Sequence, residues 1–257
     1  MRTIIFCCCV FILSATFFSC KKEPVQREEK PGTPTGIFMF HLHTYLDNNE
    51  VDLYHIPYTT LDGRAISLSL AQLYISDVQL VKLDGTTYDL VGKKVLKVFE
   101  KDTYLVGDVP IGNYKSFRFK VGLDAATNVK QSIDPADSSI LNRTEMWLGG
   151  TAQPDGYVFM NVQGTIDTTS DLSGSMAPFT YRIGTNAHYT QVNMPDRNFT
   201  VLEGQIVYGH LWIDYNKLFS GIALNQAVNL SVKTAADNAS AIATKIANNI
   251  PAMFIYE

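Results

Sequence analysis

A strict two-residue alternation near the start of the chain, Phe38-Met39-Phe40-His41-Leu42-His43, constrains its fold more than any other feature. A β-strand turns successive side chains to opposite faces. In that conformation Phe38, Phe40 and Leu42 share one face, and Met39, His41 and His43 share the other. The run predicts a strand with a buried aromatic face and a wet face that carries three metal-capable side chains.

Much of the remaining sequence reads the same way. Candidate strands cover 36–45, 65–70, 72–83, 87–99, 103–109, 114–121, 157–164, 179–183, 198–202 and 205–215, all rich in Val, Ile, Leu, Tyr and Phe. Turn residues separate them: Asp62-Gly63, Asp84-Gly85, Pro110-Ile111-Gly112-Asn113, Asp155-Gly156 and Glu203-Gly204. Asp84-Gly85 is the strongest hairpin signal and predicts a type I′ turn, which needs positive φ at both central residues. Many short strands with close turns predict an all-β domain, an antiparallel sandwich or barrel. One short C-terminal helix is expected. Ala239, Ile242, Ala243, Ile246, Ala247 and Ile250 form a helical stripe, with Asp237 or Asn238 as cap and Pro251 just beyond. A helical turn is expected at 215–219, and 124–156 reads as loop with short helical pieces.

The first residues read as an address rather than as fold. Arg2 precedes an apolar run that ends Phe17-Phe18-Ser19-Cys20, close to charge and short for a membrane span. A small residue before cysteine after an apolar core resembles the lipobox of bacterial lipoproteins. Residues 1–19 are then a signal peptide, and Cys20 carries the lipid that anchors the protein to a membrane. Residues 20–35 are polar and rich in proline and charge, a flexible tether. The domain is 36–257. The expected location is the outer membrane, facing the periplasm or the cell exterior. Of the four cysteines, Cys7, Cys8 and Cys9 leave with the signal and Cys20 is lipidated. The domain therefore stands on its core without disulfides, thiolate metal sites or cysteine nucleophiles. The Asn-x-Ser/Thr triplets at Asn142, Asn198, Asn229 and Asn238 carry little weight behind a bacterial lipobox.

The chemistry on offer is narrow. The net charge of −4 is mild, and no basic cluster suggests nucleic acid. No nucleophile elbow, phosphate loop, dinucleotide fingerprint or zincin motif is present, so an enzyme is not expected. The acidic run 47–52 lacks the glycine and spaced glutamate of a calcium loop and reads as a solvated turn. What remains is imidazole. His41 and His43 are a metal pair, with Met39 as a soft donor on the same face. His210, in another expected strand that could converge on the pair, and His188, in a loop-like stretch, are the further candidate ligands, and His55 reads as surface. Trp147 reads as a packing anchor.

The order of short motifs resembles the MbnP-like copper-binding family, exported β proteins common as lipoproteins in Bacteroidota. The resemblance is carried by Phe40-His41-Leu42-His43, Leu73-Tyr74-Ile75-Ser76-Asp77-Val78, Val109-Pro110-Ile111-Gly112-Asn113-Tyr114, Met146-Trp147, Phe179-Thr180-Tyr181-Arg182-Ile183-Gly184 and Trp212-Ile213-Asp214-Tyr215-Asn216-Lys217. It implies a β-sandwich-like domain and copper as cargo, with a copper donor or acceptor or a redox protein as partner. In copper-binding members an early-strand histidine ligates copper beside a tryptophan two residues before it, which a dihaem partner oxidises to kynurenine. His43 or His41 takes the histidine's place, and His41 or Met39 takes the tryptophan's, so that ligand cannot form there. Arg182 stands where the family often has histidine, and guanidinium does not ligate metals at neutral pH. Where many members carry His-x-His after Met-Phe, this sequence reads Met253-Phe254-Ile255-Tyr256-Glu257. The expectation is copper binding through His41 and His43. The alternative is a surface lipoprotein that binds a glycan, peptide or protein without metal.

Overall fold

The structure is a computed structural model. It describes residues 32, 34–129, 139–149 and 155–257; the signal peptide expected over 1–19 and Cys20 lie outside the described residues, as does most of the expected tether. Pro34–Glu257 forms one unit, distinct from Met1–Thr33.

The main strands are β1 (Thr35–Leu46), β2 (Ala65–Lys82), β3 (Thr103–Pro110), β4 (Gly112–Val121), β5 (Val158–Asp167), β6 (Met176–Gly184), β7 (Thr190–Asn193), β8 (Phe199–Val201) and β9 (Ile206–Asp214). Helix α1 (Ala241–Asn249) and strand β10 (Phe254–Tyr256) follow. One sheet runs β10-β9-β1, with β3 and the short strand Asn49–Glu50 also paired to β1. The other runs β7-β4-β2-β5-β6, and β8 pairs with β4. The all-β expectation holds, but pairing is mixed: β1 and β9 are parallel, as are β6 and Ser231–Val232. The β1–β9 pairing joins segments far apart in sequence, which no turn signal could announce.

Alternation along β1 is complete. Phe38, Phe40 and Leu42 are buried, while Met39, His41 and His43 are partly exposed. The buried face meets the second sheet through aromatic edges. The Phe40 ring lies 5.5 Å from Phe119 and 5.8 Å from Phe117, and Phe38 lies 5.4 Å from Phe117. Such offset and tilted contacts add to the burial of large apolar area. A second cluster gathers Tyr74, Met146, Trp147, Leu148, Tyr157 and Phe159. Trp147 is fully buried there, and its indole N–H donates to the Leu141 carbonyl at 2.9 Å. Arg182 serves the same region, donating to the Trp147 carbonyl at 2.5 Å.

Several local expectations change. The segments 65–70 and 72–83 are one strand with register shifts between Leu68 and Leu70 and again between Ser76 and Gln79. The segment 87–99 divides into Thr87–Asp89 and Val95–Lys97, separated by a turn with Gly92 at φ +74°. At Asp84-Gly85 only the glycine has positive φ. With Gly85 N–H bonded to the Lys82 carbonyl, the turn is a three-residue loop closed by a left-handed glycine, not type I′. The C-terminal helix begins later than its apolar stripe. Ser240 is the cap, its hydroxyl accepting from Ala243 N–H. Asn238 instead sits buried, accepting from Gly184 N–H at 2.8 Å and donating to the Arg182 and Thr234 carbonyls.

The acidic turn after β1 is not solvated at its first residue. The Asp47 side chain is 4% exposed and accepts from Leu61 N–H at 2.8 Å and the Asn216 amide at 2.9 Å. Lys217 reaches both Asp47, at 3.4 Å, and Asp214, at 3.1 Å. Burial acts most strongly on Asp47 and raises its pKa. The Leu61, Asn216 and Lys217 contacts together outweigh it and hold the carboxyl below the ordinary aspartate value. A carboxylate depressed on folding contributes stability above its unfolded pKa of about 3.9, and that contribution is lost as pH falls through the folded value. Denaturant midpoints measured against pH should therefore fall more steeply below about pH 4 in the wild type than in Asp47→Asn. Parallel profiles would contradict this role for Asp47.

Candidate metal centre

The site is the outward face of the first sheet, and strand register assembles it. Parallel pairing sets His41 opposite His210 and His43 opposite Trp212; Met39 lies opposite Tyr208. The inward neighbours Phe40 and Leu42 lock this register, because a one-residue slip would turn the histidines into the core. His41 Nδ1 and His210 Nδ1 are 3.0 Å apart, so one donates to the other. The two rings of His41 and His43 lie 4.4 Å apart, edge to face.

Two carboxylates complete the cluster. Glu50 comes from the short strand Asn49–Glu50, which folds back on the end of β1 with Tyr45 opposite Glu50. Its Oε1 lies 2.6 Å from His43 Nδ1. An ionised carboxylate only accepts, so Nδ1 carries the proton and the Nε2 lone pair points the other way. Glu257 comes from the end of β10. Its Oε2 is 3.4 Å from His210 Nδ1 and 4.0 Å from His43 Nε2. The Glu257 main chain is tied down on both sides: its N–H donates to the His210 carbonyl at 3.3 Å, and its main-chain oxygen accepts from Arg197 at 2.8 Å.

Among the described residues, His41, His43 and Glu257 can each offer one donor atom with all of these atoms within 4.8 Å of one another. His210 adjoins two of them. His43 Nε2 is buried with no hydrogen-bond partner. Leaving such an atom unsatisfied costs about 1–3 kcal/mol. A cation between His43 and Glu257 would satisfy it. Burial, then the neighbouring His43 and His210 rings, hold the His41 pKa below the ordinary histidine value. That favours the neutral imidazole, the form that ligates. The donor set of this chain therefore fits a transition metal.

The walls are aromatic. Trp212 stacks on Tyr45 with centroids 4.5 Å apart, beside His43. A cleft of about 470 Å³ adjoins the cluster, lined by Phe117, Arg197, Phe199, Tyr208, Tyr256 and Glu257 among others.

Of the residues expected from sequence, His41, His43 and His210 come together. Met39 shares their face one outward position along β1, flanked by Tyr208 and Leu105. His188 does not join them. It is buried, and its Nδ1 lies 2.9 Å from the Gly184 carbonyl and 3.2 Å from Asn238 Oδ1, a packing role. His55 is exposed, with φ +65°. Glu257 and Glu50 were not expected from sequence. The run Phe254-Ile255-Tyr256, rich in strand-forming residue types, is the sequence signal for the strand that delivers Glu257.

These features define a class: a mixed β-sandwich with a histidine–carboxylate cluster on the outer face of its smaller sheet. The family model described as MbnP matches residues 35–237, and the chain belongs to that family. Among solved structures, MbnP from Methylosinus trichosporium is similar, with 16% identity and a TM-score of 0.47, covering 72% of this chain and 78% of that one. No curated protein matches.

Proposed function

We propose that the chain is a lipid-anchored, extracytoplasmic copper-binding protein that captures and passes on the metal without catalysing a reaction. The carrying observation is the His43 ring: Nδ1 is held by Glu50 at 2.6 Å, and the buried Nε2 lacks a partner and faces Glu257. That arrangement is the carboxylate–histidine pairing used to orient metal-binding imidazoles. Membership of the MbnP family supports copper as the metal. His41 would be the second nitrogen donor, with Glu257 and His210 beside it. The exposed position of the cluster on a sheet face suits transfer to and from a donor, acceptor or redox protein. Lipidation at Cys20 and an outer-membrane location follow from the sequence reading alone.

The test is metal analysis of protein purified without an affinity tag, with copper competition on His41→Ala/His43→Ala. Bound copper in the wild type and its loss in the double variant is the expected result. Equal affinity in both would sink this site. The aromatic cleft lined by Phe117, Phe199, Tyr208 and Tyr256 favours a second reading, a glycan or peptide binder without metal.

A further inference from the structure

We infer that the end of the sandwich where β1 begins is a membrane-docking surface, and that Leu83, Ile111 and Leu202 at its turn tips insert into lipid. The inference rests on the lipid anchor at Cys20 proposed above and adds which face of the domain meets the bilayer.

Three turns meet at this end. Lys82 at the close of β2 pairs with Tyr114, Thr35 pairs with Pro110, and Val201 pairs with Gly112. The tips are Leu83-Asp84-Gly85, Pro110-Ile111-Gly112 and Leu202-Glu203-Gly204. Each holds a large aliphatic side chain in water: Leu83 is 53% exposed, Ile111 47% and Leu202 59%. Scattered exposed apolar residues are ordinary on a protein surface. Here three sit on adjoining turns. Backbone bonds close those turns. Gly85 N–H donates to the Lys82 carbonyl at 2.9 Å, Ile111 N–H to the Pro34 carbonyl at 3.3 Å, and Gly204 N–H to the Thr35 carbonyl at 2.9 Å. Insertion therefore has little backbone left to order.

The course of the chain points to a bilayer as the occupant. Pro34 and Thr35, through which the domain connects back to Cys20, are bonded to two of the three tips. Fourteen positions separate Cys20 from Pro34, a reach of at most about 50 Å. An acylated Cys20 makes contact between these tips and the bilayer intramolecular, at an effective concentration on the order of millimolar. A weak apolar contact is then populated. The tips carry two carboxylates, Asp84 and Glu203, with Lys82 before the first, so attraction to anionic lipid does not drive the contact. The opposite end offers the same local chemistry in Leu61-Asp62-Gly63, with Leu61 73% exposed. Leu61 is bonded to Asp47, just past the far end of the 12-residue β1, about 36 Å from Thr35. Docking by the near end stands β1 up from the membrane. His41, six residues past Thr35, is then held about 20 Å above the lipid, open to a soluble partner.

The test uses the full chain with single introduced cysteines. The sequence has no cysteine after Cys20, so Leu83→Cys, Ile111→Cys, Leu202→Cys and Leu61→Cys each take one environment-sensitive fluorophore. The lipoprotein is reconstituted into phosphatidylethanolamine vesicles with a minority of phosphatidylglycerol and a nitroxide on the headgroups. Mass spectrometry reads the acyl chains on Cys20. Blue-shifted emission and quenching by the nitroxide are expected at 83, 111 and 202, and neither at 61. Ile111→Ser/Leu202→Ser should abolish both signals of the probe at 83 while the chain stays on the vesicles. The contact should survive about 0.5 M salt, which screens exposed charges within a few Å. Circular dichroism checks that the variants fold. On an acylated chain, unquenched probes at 111 and 202, equal quenching at 61, or loss of quenching in salt would overturn the docking and leave the anchor standing. An unacylated Cys20 would overturn both.

Discussion

Phe40→Ala is expected to destabilise the domain by about 3–5 kcal/mol, the range for removing a fully buried phenylalanine. Phe40 has no exposed surface, and its ring meets Phe38, Phe117 and Phe119 with centroids 5.5–5.8 Å away. Two of the three partner rings, Phe117 and Phe119, come from β4 across the space between the sheets, and the third, Phe38, is the next inward residue of β1. Removing the ring opens a void on which neither sheet can easily close, since backbone pairing fixes both. The neighbouring Met39→Ala, on the outward face, should cost less than about 1 kcal/mol. Urea unfolding of the two variants checks this contrast. Comparable losses at 39 and 40 would mean that the faces of β1 are assigned wrongly, and the histidine cluster would lose its basis.

His41→Ala/His43→Ala is expected to lower copper affinity by more than about 100-fold, beyond what loss of a single outer partner costs. The pair supplies two of the three donors that meet within 4.8 Å. Removing one imidazole leaves a site of His43 or His41 with Glu257 and His210. Removing both leaves one exposed histidine and one exposed carboxylate, which is common on any protein surface. Stability should move little, because both side chains face outward and the core face of β1 is untouched. The double variant therefore separates the site from the fold. Competition titration with copper, alongside thermal melts, reads both effects in one preparation.

Much of this was legible in the sequence where the information is local. The alternation Phe38 to His43 specifies its strand and its buried face without reference to anything else. The Ala–Ile stripe specifies α1, although Ser240, not Asn238, caps it. Trp147 was recognisable as an anchor by the Gly149-Gly150 pair close behind it. What was not legible depends on pairing over distance. Parallel register between β1 and β9 sets His210 against His41, and 169 residues of chain separate the two. Glu257 directly follows a three-residue strand behind a helix, and short strands carry almost no periodic signal. Glu50 looked like part of an acidic turn, until Asn49–Glu50 is seen to pair back onto Leu46 and Tyr45. The same turn hid Asp47, whose burial depends on Asn216 and Lys217. His188 shows the converse: a histidine of the right type in a plausible loop, taken up instead by Gly184 and Asn238. Donor type can be read from composition; convergence has to be read from the sheet.

Copper binding at His41 and His43 is tested by a crystal structure of the copper-loaded protein, with anomalous diffraction recorded at the copper edge. One anomalous peak is expected on the outward face of β1, about 2 Å from His43 Nε2 and from a His41 nitrogen, with Glu257 in contact. Copper absent from that face, or bound elsewhere with His43 still partnered by Glu50 alone, would contradict it.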